Sequence, residues 1–276
     1  MQSGIDKIRY FVFDMDGTIY LGGKILPAAR ELLDYLKQSG RGYLFLTNNS
    51  SADKHYYWQK LNNMGIECSP DEILTSGEAT VRYLHTIKPQ ARIYLLGMPS
   101  LEKEFSDWGF VLTDQDVDYV VLGFDRTLTY DKLATACNLL RAGVPFLATH
   151  ADINCPTEDG YIPDCGAMLA LIKASTGVEA QVIGKPNTSF LQMAVNKLSC
   201  RHNELAMVGD RLYTDILMGI QASVCTVAVL TGESKQTDID QSDYKPDYVC
   251  KDLGVLLEWL KIADAGAKPT HSRLGE

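Results

Sequence analysis

Ile8-Arg9-Tyr10-Phe11-Val12-Phe13-Asp14-Met15-Asp16-Gly17-Thr18 is the stretch on which the fold turns. Ile8–Phe13 is a short run of β-forming residues, apolar but for Arg9, and two acids, Asp14 and Asp16, mark its carboxyl end. Such a run suits a strand buried in a parallel sheet, and open α/β sheets bind their ligands just beyond the carboxyl ends of their strands. Gly17 permits a sharp turn there and, lacking a side chain, lets a ligand come close.

Outward from this stretch, strand-like and helix-like segments alternate. Pro27–Gln38 reads as a helix opened by proline, Tyr43–Leu46 as a strand, and Asp53–Met64 as a helix stopped at Gly65. The rhythm returns after Lys185, with helices at Asn187–Lys197, Tyr213–Gln221 and Asp252–Ile262 and strands at Leu205–Val208 and Cys225–Val229. Repeated βαβ units imply a doubly wound, Rossmann-like parallel sheet. Between the two halves lie strands at Arg92–Leu96, Tyr119–Gly123 and Pro145–Ala148 and helices at Tyr130–Arg141 and Cys165–Thr176. So long a stretch with its own elements is an inserted α/β domain and not a loop. The expected organisation is a core from residues 1–76 and 184–262, an insertion from 77–183, and a flexible tail over 263–276, where periodicity is lost.

The 276 residues carry a formal net charge of −9, which disfavours nucleic acid and anionic membrane surfaces as partners and requires a local cation for any anionic substrate. No apolar run is long enough for a membrane span and no signal-type segment opens the chain, so a cytoplasmic protein is expected. Seven scattered cysteines without a Cys-x-x-Cys pair suit reduced core positions better than a disulfide framework or a zinc site.

Three further segments stand at strand ends. Thr47-Asn48 follows Tyr43–Leu46, where a hydroxyl and open backbone N–H groups suit phosphate oxygens, although the same residues would also cap a helix. Lys185 lies in Ile183-Gly184-Lys185-Pro186-Asn187, and taken alone is an ordinary surface charge. Asp210 ends Leu205-Ala206-Met207-Val208-Gly209, with Asp215 in the first turn of the next helix, where either acid could also favour the helix dipole. Asp14 and Asp16 could form a plain turn, but two acids so close repel, and a divalent cation would relieve the repulsion.

Together and in this order, Asp14-Met15-Asp16-Gly17-Thr18, Thr47-Asn48, Lys185 and Gly209-Asp210 with Asp215 resemble the four motifs of the haloacid dehalogenase (HAD) superfamily of phosphatases. The large insertion between the second and third motifs, and the short Gly-rich segment Tyr20–Lys24 after the first, resemble the C2-capped, NagD-like class (subfamily IIA), which includes 4-nitrophenyl phosphatases. The resemblance implies a HAD fold with a C2-type cap, Asp14 as nucleophile, Asp16 as general acid and base, and Thr47 and Lys185 on the transferring phosphoryl group. Asn48 and Asn187 join them as phosphate-binding candidates, and His150 and Asp152 as cap residues facing the substrate. It implies a Mg2+ ion held by Asp14, Asp16 through its backbone carbonyl, Asp210 and Asp215, directly or through water.

The expected activity is Mg-dependent hydrolysis of small soluble phosphate esters (4-nitrophenyl phosphate, sugar, glycolate-type or nucleotide monophosphates) through an aspartyl-phosphate on Asp14. Phosphotransfer by the same intermediate, as in mutases, and a non-catalytic phosphate-binding regulator are the alternatives. The expected partner is a small phosphorylated metabolite, with a homodimer through the cap as a candidate assembly. Two cap elements, His150-Ala151-Asp152 and Pro163-Asp164-Cys165-Gly166, resemble the family's Asn-x-Asp and Pro-Gly-x-Gly but depart from them at His150 and Asp164.

Overall fold

The computed structural model of the chain describes residues 4–157 and 160–266. Of the tail expected over 263–276, residues 267–276 lie outside the described residues. The strands in chain order are β1 (Tyr10–Phe13), β2 (Gly42–Thr47), β3 (Ile73–Thr75), β4 (Arg92–Leu96), β5 (Val111–Leu112) and β6 (Tyr119–Leu122). They continue with β7 (Phe146–Ala148), β8 (Gln181–Val182), β9 (Leu205–Gly209), β10 (Cys225–Val229) and β11 (Tyr248–Cys250). Two hairpins stand apart from these, Tyr20–Leu21 with Lys24–Ile25 and Asn154–Thr157 with Gly160–Pro163.

The chain folds into two compact units. One comprises the residues up to Leu46, Trp58–Ile73 and the chain from Leu191; the other comprises Thr47–Tyr57 and Leu74–Phe190. Both are α/β. The first is built on a six-stranded sheet of order β11-β10-β9-β1-β2-β3, in which β1 pairs in parallel with β9 and β2. Phe11, Val12 and Phe13 are wholly buried, as a central strand of a parallel sheet requires. The chain winds outward from β1 through β2 to β3, then restarts at β9 on the opposite side and winds through β10 to β11. The reversal lies between β1 and β9, and this switch point is where doubly wound sheets open a crevice.

Helix Ala29–Gln38 buries Ala29, Leu32, Leu33 and Leu36, a single stripe at helical spacing, and packs on helix Leu253–Asp264. Each fully buried leucine contributes about 2 kcal/mol. The first helix begins two residues later than the proline suggests, because Ala28 is left-handed (φ 59°). The last extends past Ile262 to Asp264, whose carboxylate accepts from Arg41 (2.6 and 2.8 Å) and Tyr35 (2.5 Å) and so anchors the helix end.

The second unit holds a five-stranded sheet of order β8-β7-β6-β4-β5, with every pair parallel. Its core packs helices Tyr130–Arg141 and Cys165–Thr176 on the sheet through Ala136, Leu140, Cys165 and Ile172. Leu122, Ala148 and Val182 lie in register, so the segments leaving β6, β7 and β8 emerge side by side. Of the cysteines, Cys137, Cys165, Cys225 and Cys250 are buried. Among the described residues no helix is long and apolar enough to cross a membrane.

Candidate active site

In the first unit, Phe13 pairs with Val208, and the Asp14 amide continues the ladder by donating to the Val208 carbonyl (2.9 Å). Parallel register therefore brings the carboxyl ends of β1 and β9 together, with Asp14 leaving one strand and Asp210 the other. Asp215 joins them by a local irregularity. The segment expected as plain helix from Tyr213 is a π turn over Leu212–Ile216 before helix Leu217–Gln221. This wider turn folds Asp215 back so that its Oδ2 accepts from the Arg211 amide (3.1 Å), and its side chain fills the space over Gly209 where a Cβ would stand.

Asp14, Asp210 and Asp215 are all buried, and one carboxylate oxygen of each lies within 4.8 Å of the others. Burial pushes the Asp210 carboxyl well above the usual carboxylate range, and the negative charges of Asp14 and Asp215 push it further. One of its oxygens, Oδ2, accepts from the Glu233 amide (2.7 Å); the other, Oδ1, is buried without a hydrogen-bond partner among the described residues. An orphaned carboxylate oxygen amid like charges fits a hard cation, for which an all-oxygen donor set is apt. Two glycines let the backbone pack closely against Asp210. A Cβ on Gly17 (φ +89°) would stand 2.5 Å from Asp210 Oδ2, and one on Gly232 would overlap the same oxygen.

The side chain of Asp16 stands outside that trio. Burial raises its carboxyl above the ordinary value and Asp14 adds to the rise, while Lys60, a hydrogen bond from Tyr20 (3.3 Å) and Arg211 oppose it. A carboxyl held toward its protonated form is suited to deliver a proton. Lys60 also lies over the Tyr20 ring, 3.7 Å from its centroid.

In the second unit Lys185 is only 2% exposed, follows β8 by three residues, and is joined to Pro186 by a cis peptide. The Asn48 side chain brackets it, with Oδ1 accepting from the Lys185 amide (2.8 Å) and Nδ2 donating to the Lys185 carbonyl (3.1 Å). The same Nδ2 donates to Asp152 Oδ1 (2.9 Å). The structure thus brings Asn48, Asp152 and Lys185 together and spends both donor hydrogens of the Asn48 amide inside the protein. Thr47 Oγ1 accepts from the Asn49 amide (3.2 Å), a bond that leaves its own hydroxyl hydrogen to donate.

Asn187 binds locally: it donates to the Val182 carbonyl (2.8 Å), accepts from Ser189 and so caps helix Thr188–Leu198. His150 is wholly buried, with its ring nitrogens against Thr149 Oγ1 and Asp164 Oδ1, both at 2.9 Å. The segment between Ile153 and Asp164, anticipated as loops, is largely the antiparallel hairpin Asn154–Thr157 with Gly160–Pro163. Its proline- and glycine-containing sequence hides the strand alternation.

Lys60, Tyr20, Arg211 and the segment Thr231-Gly232-Glu233-Ser234 were not legible as site residues. Thr231 donates to the Gly17 carbonyl (2.6 Å), and Glu233 and Ser234 donate from their backbones to Asp210. The available signal was position, since small and polar residues follow the strand Cys225–Val229 just as the recognised motifs follow theirs.

The chain is similar to known proteins over most of its length. The haloacid dehalogenase-like hydrolase family matches residues 11–111 and the HAD-hydrolase-like family residues 182–256. A protein of Staphylococcus epidermidis named acid sugar phosphatase is 36% identical over 252 residues, spanning 91% of this chain and 97% of its own length. Among solved structures, the 4-nitrophenylphosphatase of Thermotoga maritima superposes with a TM-score of 0.90 at 44% identity, covering 93% of this chain and 98% of its own. NagD from Escherichia coli K-12 superposes with a TM-score of 0.83 at 30% identity, covering 89% and 97%.

Proposed function

The chain belongs to the haloacid dehalogenase-like hydrolases and is a NagD-like phosphatase of their subfamily IIA, and from that premise we propose that it hydrolyses small sugar-type phosphate monoesters through an aspartyl-phosphate on Asp14, with Mg2+ as cofactor. The observation that carries this is the buried meeting of Asp14, Asp210 and Asp215 with Asp210 Oδ1 left without a hydrogen-bond donor. Such an arrangement is costly unless a cation completes it.

An Asp14 carboxylate oxygen attacks phosphorus, and the bond from phosphorus to the ester oxygen breaks as Asp16 gives that oxygen its proton. Asp16, now ionised, takes a proton from water as the water oxygen attacks the same phosphorus. The bond from Asp14 to phosphorus then breaks, which releases inorganic phosphate and restores both carboxyl groups. Asp14, Asp210 and Asp215, with the Asp16 carbonyl, would hold Mg2+, which when bound offsets the negative charge of the phosphoryl oxygens. Lys185 and Thr47 serve the same oxygens by charge and hydrogen bond, and Asn48 holds the Lys185 backbone in place for that task. Residues 77–183 act as the cap that selects the ester and keeps bulk water from the intermediate. The names of the Staphylococcus epidermidis and Thermotoga maritima relatives support sugar phosphates as substrates and 4-nitrophenyl phosphate as a practical reporter.

The test is phosphate release from 4-nitrophenyl phosphate and a panel of sugar phosphates, in Mg2+ or EDTA, by the wild type and Asp14→Asn. Metal-dependent release that disappears in the variant is the expected result. Equal release in EDTA, or turnover retained by Asp14→Asn, would overturn the proposal.

A further inference from the structure

The two positions at which the cap elements depart from the family pattern, His150 and Asp164, touch each other. His150 Nε2 lies 2.9 Å from Asp164 Oδ1, and both side chains are more than nine-tenths buried. The contact is one link in a longer chain within the second unit. His150 Nδ1 lies 2.9 Å from Thr149 Oγ1, Thr149 Oγ1 lies 2.9 Å from Ser50 Oγ, and Ser50 Oγ accepts from the Phe124 amide (3.0 Å).

Donor counting gives this chain one direction. Asp164 Oδ1 already accepts from the Cys165 amide (2.6 Å), so the carboxylate is an acceptor and His150 Nε2 carries the hydrogen between them. In the neutral ring with that hydrogen on Nε2, Nδ1 is the acceptor and Thr149 donates to it. Ser50 then donates to Thr149 while accepting from Phe124. Each buried hydroxyl makes one donation and receives one, so no member is left unsatisfied.

The two ends of the chain lie on segments that matter to the proposed site. Ser50 is two residues from Asn48, whose side chain holds both Asp152 and the Lys185 backbone. Asp164 lies on the segment that binds the Asp152 loop, through Asp164 N to the Ile153 carbonyl (2.9 Å) and Gly166 N to the Asp152 carbonyl (2.8 Å). Gly166 permits this close approach, since a Cβ there would stand 2.8 Å from the Asp152 carbonyl oxygen.

We propose that His150 and Asp164 are a mutually dependent pair of positioning residues, which through Thr149 and Ser50 set the placement of Asp152 and Lys185 and thereby the ester preference. They touch no substrate. The proposal rests on the phosphatase function above, and it predicts that the pair fails as a unit. His150→Asn or Asp164→Gly alone leaves one member of the pair without the other, whereas the double substitution removes both members and restores the residue types of the family elements.

The experiment measures kcat and KM for 4-nitrophenyl phosphate and several sugar phosphates with the wild type, the two single variants, the double variant and Ser50→Ala. Each single variant is expected to lose about tenfold in kcat/KM on the sugar esters, the loss of one buried hydrogen bond, with unequal factors across the panel. The double variant is expected to recover much of that loss with an altered ester ranking, and Ser50→Ala, at the far end of the chain, to shift the ranking in the same sense as His150→Asn. Equal losses for every ester with KM unchanged, or a double variant as poor as the product of the singles, would overturn the proposal. Histidine-selective ¹⁵N NMR of the wild type needs no variant to fold. Hydrogen on His150 Nε2 with Nδ1 bare is expected, and the opposite tautomer would overturn the chain. A wild type inert toward every ester would overturn the phosphatase function and the positioning role with it, an outcome distinct from an active wild type whose variants lose activity uniformly.

Discussion

At the switch point of the core sheet, Asp14, Asp210 and Asp215 crowd their carboxylates within 4.8 Å of one another, whereas in the second unit the Asn48 side chain hydrogen-bonds both the Asp152 carboxylate and the Lys185 backbone. Both groups stand beyond the carboxyl ends of parallel strands, and both are buried. They differ in completeness. The second group contains its own donors and acceptors, while the first keeps three acids and an orphaned Asp210 oxygen together. Such like-charge crowding is relieved by protonation, toward which burial and its neighbours push Asp210, or by a bound cation, and the all-oxygen donor set of the first group suits a cation.

The largest expected effect attacks the incomplete side. Asp14→Asn keeps the volume and removes the nucleophile, so kcat should fall by at least about 10⁴-fold with the fold retained, as checked by phosphate release and circular dichroism. Next is Asp215→Asn, expected to weaken Mg2+ binding by about 10–100-fold in calorimetric titration. Unchanged affinity would show that Asp215 takes no part in holding the ion. Gly232→Ala sharpens the comparison, since the new Cβ overlaps Asp210 Oδ2. It should cost about 1–3 kcal/mol of stability in denaturant unfolding and weaken the metal together with it.

The smallest effect probes a carboxylate of the second unit. Burial, with Glu78 and Asp53, pushes Glu104 up to about 7. Its folded value lies above the ordinary 4.5, so the folded protein holds an extra proton between those pH values. Stability contributed there is fully present below about pH 4.5 and is lost as pH rises to about 7. Glu104→Gln should flatten the pH dependence of unfolding free energy across that window by one proton and raise Tm at pH 8 by a few degrees. A slope identical to wild type would show that Glu104 keeps its ordinary ionisation in the folded protein.

The expectations that held were those written in local chemistry. Apolar runs ending in Asp14, Thr47 and Asp210 are strands of a parallel sheet, because a strand buried on both faces must be apolar and its ligand-bearing residues can appear only where it ends. The helix Pro99–Asp107 and the strand Ile73–Thr75 were less legible, being short and lacking a clean period. The π turn at Leu212–Ile216 was invisible for a different reason: its composition is that of an ordinary helix, and the widening answers to the packing of Asp215 on Gly209.

The class of fold, the strands that end in Asp14, Thr47 and Asp210, and the four motif segments were legible from residue type and near neighbours. Only the tertiary structure decided which acids meet, that Asn48 is spent on Lys185 and Asp152, that Thr47–Tyr57 packs with the second unit, and that His150 and Asp164 form one pair. These are contacts between residues far apart along the chain. Their partners are chosen by register and burial, which no local pattern encodes.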